Sequence, residues 1–234
     1  MNIGVRKFGV AVVMIGLGAI CTGALTAQSH VAREDIEWLD VWLPHTNEHD
    51  LPRVLLIGDS ITRGYGPKVE EELKGIAYVG RMATSKSLGD PALSVQVALV
   101  LQEQHFDIVH FNNGLHGRDY SEDEYRAAFP ELLATIRRYA PGCRMVWASI
   151  TDVRVAEHLD QAGAFNGRVL ERNKIAAAIT AKEGIPVDDL FALVKDHPTW
   201  HANDGVHFNS TGIEAQAAQV ASILKEEIAR MPRR

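Results

Sequence analysis

A chain of 234 residues, 46% hydrophobic and 23% charged, is long enough to bury its own core and has the composition of one globular domain. Its 30 acidic residues outnumber its 24 basic ones, a net charge of −6, which argues against nucleic acid and anionic membrane surfaces as partners.

The first element is a targeting segment. Arg6 and Lys7 precede an apolar run from Phe8 to Ile20, a stretch of small residues ends at Ala27, and no acid occurs before Glu34. That order predicts a secretory signal peptide over residues 1–27, and with it export to the periplasm or the medium. An uncleaved N-terminal anchor is the alternative, because the apolar stretch approaches the roughly 20 residues that span a bilayer; that anchor would be the chain's one tie to a membrane. Ile20 is a poor fit to the small residue that precedes a lipid-attached cysteine, which argues against that role for Cys21. Removing residues 1–27 takes Arg6 and Lys7 from the 24 basic residues, leaving 22 against 30 acidic and a net charge of −8. It also leaves Cys143 alone, so no intramolecular disulfide can form and the core must hold the fold.

Residues 28–51 show no strong period, only Trp38, Leu39, Val41, Trp42 and Leu43 among charges, and read as a leader that packs on a domain spanning 52–234. There strands and helices alternate. Val54–Ile57, Ala77–Val79, Phe106–Phe111, Met145–Ile150 and Ile185–Val187 are short apolar runs suited to a parallel sheet covered on both faces. Between them, Asp90-Pro91 opens a helix with Leu93, Val97 and Leu101 on one face. Ser121 with Glu124 forms a capping box ahead of Tyr125, Phe129, Leu132, Leu133 and Ile136, with a kink or restart expected at Pro130. Asn166–Glu183 stops at Gly184 and Pro186. A last helix starts at Ser210 or Thr211, with Glu214 completing a second box, and runs to about Arg230. The alternation predicts an open α/β sheet whose ligands bind beyond the carboxyl ends of the strands.

Two segments fall at that edge. Gly58-Asp59-Ser60-Ile61-Thr62 follows the first apolar strand, so Ser60 sits on a turn backed by rigid structure, where it is either a helix cap or a nucleophile. A nucleophilic serine needs a base to take its proton and a third group to orient the imidazole. Asp204-Gly205-Val206-His207, in the loop before the last helix, offers both. Asp107 and His110 have the same spacing but lie in a strand, where an offset of three sends side chains to opposite faces, so His110 reads as a core histidine. His197, His201 and Asp204 are close in sequence, but no HExxH or paired-cysteine spacing accompanies them, and neither a metal nor an organic cofactor is expected.

With these pieces together the chain resembles the SGNH (GDSL) hydrolase superfamily, through Gly58-Asp59-Ser60-Ile61-Thr62 early and Asp204-Gly205-Val206-His207-Phe208-Asn209 late, over about residues 52–224. The resemblance implies a three-layer α/β/α sandwich around a five-stranded parallel sheet, a flavodoxin-like arrangement. It also implies Ser60 as nucleophile, His207 as base and Asp204 as its orienter. The family's oxyanion hole implies three donors: the serine amide, a glycine amide after the second strand, and an asparagine in a Gly-x-Asn-Asp motif after the third.

Here the chain departs from the pattern. The third strand leads into Phe111-Asn112-Asn113-Gly114-Leu115-His116-Gly117. Ungapped alignment puts Gly114 on the family glycine of that motif and His116 where the asparagine should be. His116 is the expected donor, with Asn113 next, Asn112 or Asn113 reaching the same point by a shifted turn, and a purely structural turn the remaining reading; the amides of Ser60 and Ser85 stand beside it. Asp59, Arg63 and Asn112 are expected to contact substrate, and Lys86 is a further basic candidate.

The chemistry implied is acyl transfer to Ser60 followed by hydrolysis, on a small-molecule or polysaccharide ester, most readily a short acyl ester such as an O-acetyl carbohydrate. The alternatives are an O-acyltransferase using the same triad, a lysophospholipase or thioesterase with an extended acyl channel, and a non-catalytic glycan-binding module.

Overall fold

The computed structural model describes Met1 and residues 31–232; the targeting segment expected over residues 1–27 otherwise lies outside the described residues. Residues 31–234 form one compact unit. In chain order it contains β1 (Leu39–Trp42), β2 (Arg53–Gly58), α1 (Ser60–Glu72), β3 (Tyr78–Thr84), α2 (Pro91–Glu103), β4 (Ile108–Phe111), α3 (Glu122–Tyr139) and β5 (Arg144–Ala148). There follow β6 (Arg154–Val155), β7 (His158–Ala162), α4 (Asn166–Glu183), β8 (Val187–Asp188), α5 (Leu190–Val194) and α6 (Ser210–Ala229).

The main sheet runs β1-β3-β2-β4-β5-β8. Five of these strands are parallel, as expected, and a sixth comes from residues 39–42, which pair antiparallel with β3 from Leu39↔Thr84 to Trp42↔Arg81. Side chains of β2 alternate between two cores. Leu55 and Ile57 pack with Leu93, Val97, Phe129 and Val169 from α2, α3 and α4, whereas Val54 and Leu56 pack with Ile61, Tyr65, Val220 and Leu224 from α1 and α6. Helices therefore cover both faces, and the strand is apolar throughout because neither face meets water. Val54, Leu55 and Leu56 are fully buried, each contributing about 1.5–3 kcal/mol of transfer free energy.

Local signals set most helix ends. Asp90 caps α2 through the Ala92 amide, with Pro91 in the first turn; Ser121 and Glu124 close the capping box of α3; Gly184 ends α4 at φ 65°. Two expectations change. α3 continues through Pro130 without a restart, because its buried face of Tyr125, Phe129, Leu132, Leu133 and Ile136 outweighs a cost of about 3 kcal/mol. α6 starts at Ser210, as expected, but its cap is Asn209, whose side chain accepts from the Gly212 amide, in place of the box expected with Glu214.

The parallel strands end together at Gly58, Thr84, Phe111, Ala148 and Asp188. The loops after β2, β3 and β4 are therefore neighbours at one edge of the sheet. Among the described residues, no helix is long and apolar enough to cross a membrane.

Candidate active site

Ser60 is the first residue of α1, and its position follows from the residues beside it. Asp59 caps the helix, its Oδ1 accepting from the Ile61 amide at 2.9 Å. At Gly58 a Cβ would meet Thr62 Oγ1 at 2.0 Å, and the same Oγ1 is within 3.0 Å of the Tyr65 hydroxyl. The turn thus needs glycine for close approach, aspartate for the cap and threonine as the buried partner. Ser60 is left partly exposed at a helix N-terminus, where its own amide has no intrahelical acceptor and the helix dipole favours negative charge.

The second segment is a tight hairpin-like loop before α6. His201 bridges Phe208, the Ala202 amide donates to the His207 carbonyl at 2.7 Å, and the Asn209 amide donates to the Trp200 carbonyl at 2.9 Å. At its tip Gly205 has φ +73°. Behind the tip stands the β6–β7 hairpin, with Arg154 N–H donating to the Gly205 carbonyl at 2.7 Å and Glu157 N–H to the Asn203 carbonyl at 2.9 Å. His201 and Arg154 both pair with the buried Asp152, which ties the loop to the end of β5.

A Cβ on Gly205 would lie 2.4 Å from the Arg154 carbonyl. Gly205→Ala combines that clash with a left-handed backbone costing about 1–2 kcal/mol for a side chain. The variant is expected to lose several degrees of Tm and at least about tenfold in kcat/KM, measured by calorimetry and ester hydrolysis; a wild-type rate would show that the loop position is not set here.

These two segments meet. His207 Nε2 lies 2.9 Å from Ser60 Oγ, and His207 Nδ1 lies 2.7 Å from Asp204 Oδ2. Asp204 Oδ1 accepts from the amides of Val206 and His207, both at 2.8 Å. Partial burial pushes the Asp204 carboxyl up, but those two amides and the His207 ring outweigh it and hold the group below the ordinary carboxylate range. As an ionised acceptor it receives a hydrogen bond from Nδ1–H, which leaves the Nε2 lone pair facing the serine hydroxyl.

The other expected site residues divide. Arg63 lines a cavity of about 220 Å³ together with Ser60, His207, Phe208 and Ile213. Asp59 is not a substrate contact: it is 1% exposed and committed to the helix cap. Asn112 is also buried, its Nδ2 donating to the Ala148 carbonyl at 2.7 Å and so joining β4 to β5.

Of the expected oxyanion donors, Ser85 is spent, because its amide donates to the Trp38 carbonyl at 3.2 Å. Asn113 is a buried clamp, accepting from the Leu88 amide and donating to the Lys86 carbonyl. Gly114 gives its carbonyl to Arg172, and at φ +157° it has space for no side chain, since a Cβ would meet Ile150 at 2.1 Å. His116 places Nδ1 2.8 Å from Glu34 Oε1. With that proton donated, Nε2 of a neutral ring is an acceptor, so His116 can donate to an oxyanion only as an imidazolium. Lys86 pairs with Glu37 and Asp90, in a separate cleft of about 700 Å³ beneath residues 32–38 that neither Ser60 nor His207 lines.

Other histidines are committed as well. His110 is fully buried against Asp188 at 2.9 Å, and His197 stacks on Trp200 at 3.8 Å. Among the described residues no group of three or more His, Cys, Asp or Glu could hold a metal ion.

One residue escaped the sequence reading. Arg172, 1% exposed, donates to the carbonyls of Gly114, His116, Gly117 and Tyr120 at 2.8–3.0 Å, gathering the whole loop after β4. Its signal was present: Val169, Arg172, Ala176 and Thr180 lie on one buried stripe of α4, and a charged residue there must have partners.

No curated protein sequence matches the chain. Among solved structures, a carbohydrate esterase family 3 from Talaromyces cellulolyticus matches with TM-score 0.62 at 17% identity, over 78% of this chain and all of that one. A GDSL-like lipase from Bacteroides thetaiotaomicron VPI-5482 matches with TM-score 0.55 at 17% identity, covering 75% and 88%. An acetyl xylan esterase matches with TM-score 0.57 at 17% identity, covering 74% and 99%. These likenesses establish the shared fold. The model of the GDSL-like lipase/acylhydrolase family, whose members are ester-hydrolysing enzymes, matches residues 56–215, from the strand before Ser60 to the helix after His207. On that span, more than half of its length, the chain belongs to the GDSL-like lipase/acylhydrolase family and is an ester hydrolase.

Proposed function

We propose that the protein is a serine esterase acting on short acyl esters, O-acetyl carbohydrates foremost, through Ser60, His207 and Asp204. The observation that carries this reading is the unbroken line of contacts from Asp204 Oδ2 through both nitrogens of His207 to Ser60 Oγ. As Ser60 attacks the ester carbonyl, its proton passes to His207 Nε2, and Asp204 balances the imidazolium. The Ser60 amide and the α1 dipole face the developing oxyanion. His207 then protonates the departing alkoxide, and a water attacks the acyl-enzyme, giving its proton back through His207 as the Ser60 oxygen leaves.

The cavity beside Ser60, about 220 Å³, supports a short acyl group. Two solved structures of the same fold are described as a carbohydrate esterase and an acetyl xylan esterase, which supports a sugar as the carrier. The basic and apolar run over residues 6–20 supports export.

Hydrolysis of p-nitrophenyl esters from acetyl to palmitoyl is expected to fall steeply beyond butyryl, together with acetate release from acetylated polysaccharide. A fluorophosphonate probe is expected to label Ser60. A preference for palmitoyl would overturn the short-acyl reading, and labelling elsewhere would overturn the nucleophile.

A further inference from the structure

The wall of the Ser60 cavity carries one cation, and its charge is uncommitted. Arg63 stands one turn along α1 from Ser60, is exposed and lines the cavity with Ser60 and His207. Its side chain makes no ion pair or hydrogen bond with any described residue. Its contact is with the ring of Trp38, whose centroid lies 4.7 Å from the guanidinium carbon. Such a contact is worth about 0.5–1 kcal/mol at an exposed site and uses none of the five guanidinium N–H donors.

Trp38 is itself fixed. Its amide donates to Ser85 Oγ at 2.9 Å, its carbonyl accepts from the Ser85 amide and from Thr84 Oγ1, and its ring meets His116 edge-on at 6.1 Å. Residues just ahead of β1 thus hold an aromatic platform on which an arginine is steadied beside the nucleophile. In the neighbouring cleft Arg33 and Lys86 are paired with Asp90 and Glu37, and Arg118 lies over the Phe165 ring. An arginine held with its donors free next to a reacting serine suits bidentate recognition of a planar anion.

We propose that Arg63 binds a carboxylate of the substrate, so that the ester cleaved at Ser60 is carried on an acidic molecule, a uronate-containing glycan being its carbohydrate form. This deepens the esterase reading above and rests on it. The chain's net charge of −6 does not oppose it at contact range, because charges beyond about 8 Å are screened at physiological salt.

The test compares 4-acetoxybenzoate with 4-acetoxybenzamide, which share acyl group and ring and differ in charge. Wild-type protein is expected to favour the anion by about tenfold or more in kcat/KM, mainly through KM, consistent with one charge-assisted contact. Arg63→Gln is expected to bring the ratio close to one, Arg63→Lys to restore part of it, and added salt to shrink it. The same order is expected for acetate release from an acetylated polyuronate against an acetylated neutral glucan. Equal rates on both esters in wild type, or a preference that survives Arg63→Gln, overturn the inference while leaving the Ser60 reading intact. No hydrolysis of either ester by wild type above Ser60→Ala overturns the Ser60 reading and this inference with it.

Discussion

Ser60→Ala is expected to reduce ester turnover by roughly 10⁴-fold or more while leaving Tm close to that of wild type. The side chain is partly exposed at the first position of α1 and has His207 Nε2 as its hydrogen-bond partner, so its removal leaves no buried group unsatisfied, and the stability change should stay within about 0.5 kcal/mol. The helix keeps its cap, because that comes from Asp59. His207→Ala should cost a similar factor, and the double variant little more, because nucleophile and base act as one unit. Asp204→Asn keeps an oxygen for the two amides that Oδ1 accepts, so the loop tip should hold, but it sets an N–H donor against His207 Nδ1 and so favours the wrong tautomer. Turnover measured beside a thermal melt separates these outcomes; an active, stable Ser60→Ala would sink the mechanism.

The second large effect is expected on stability. Arg172→Leu removes the donors for four carbonyls in the loop after β4 and leaves Glu122, 3.4 Å away, with one fewer cation. A buried charge whose partners remain behind typically costs about 3–5 kcal/mol when removed, and here the carbonyls of Gly114 and His116 lose the Arg172 donor, while those of Gly117 and Tyr120 keep the Tyr120 amide and Arg168. Denaturant unfolding should show a loss of at least about 3 kcal/mol, with earlier proteolysis within residues 114–120. Arg172→Lys should rescue little, since an ammonium has three donors and cannot fork across four acceptors. An unfolding midpoint equal to wild type would show that the loop holds itself.

How far the chain could be read in advance depended on whether a residue's partner was near in sequence. Gly58, Asp59 and Thr62 act within one turn of Ser60, and Asp204 reaches His207 across three residues, so turn and cap chemistry marked both segments, and the family resemblance implied their roles. The oxyanion donors failed because hydrogen-bond allocation is tertiary. The Ser85 amide looked available until the Trp38 carbonyl, 47 residues earlier, took it, and His116 found Glu34 from 82 residues away. The edge strand β1 was obscured for a related reason: Leu39, Val41 and Trp42 remain substantially exposed, so no buried face gave residues 39–42 a period. Arg172 was legible as a charge on an apolar stripe, although its four acceptors, more than 50 residues upstream, were not.

About half of each acid and base side chain is open to solvent, 48% for His207 and 51% for Asp204. A covalent intermediate at this site would stand at the threshold of the bulk phase, close to the most abundant acceptor present. Its lifetime would be governed by how readily His207 activates a passing water, which disposes the scaffold toward cleavage and against group donation to a dilute alcohol.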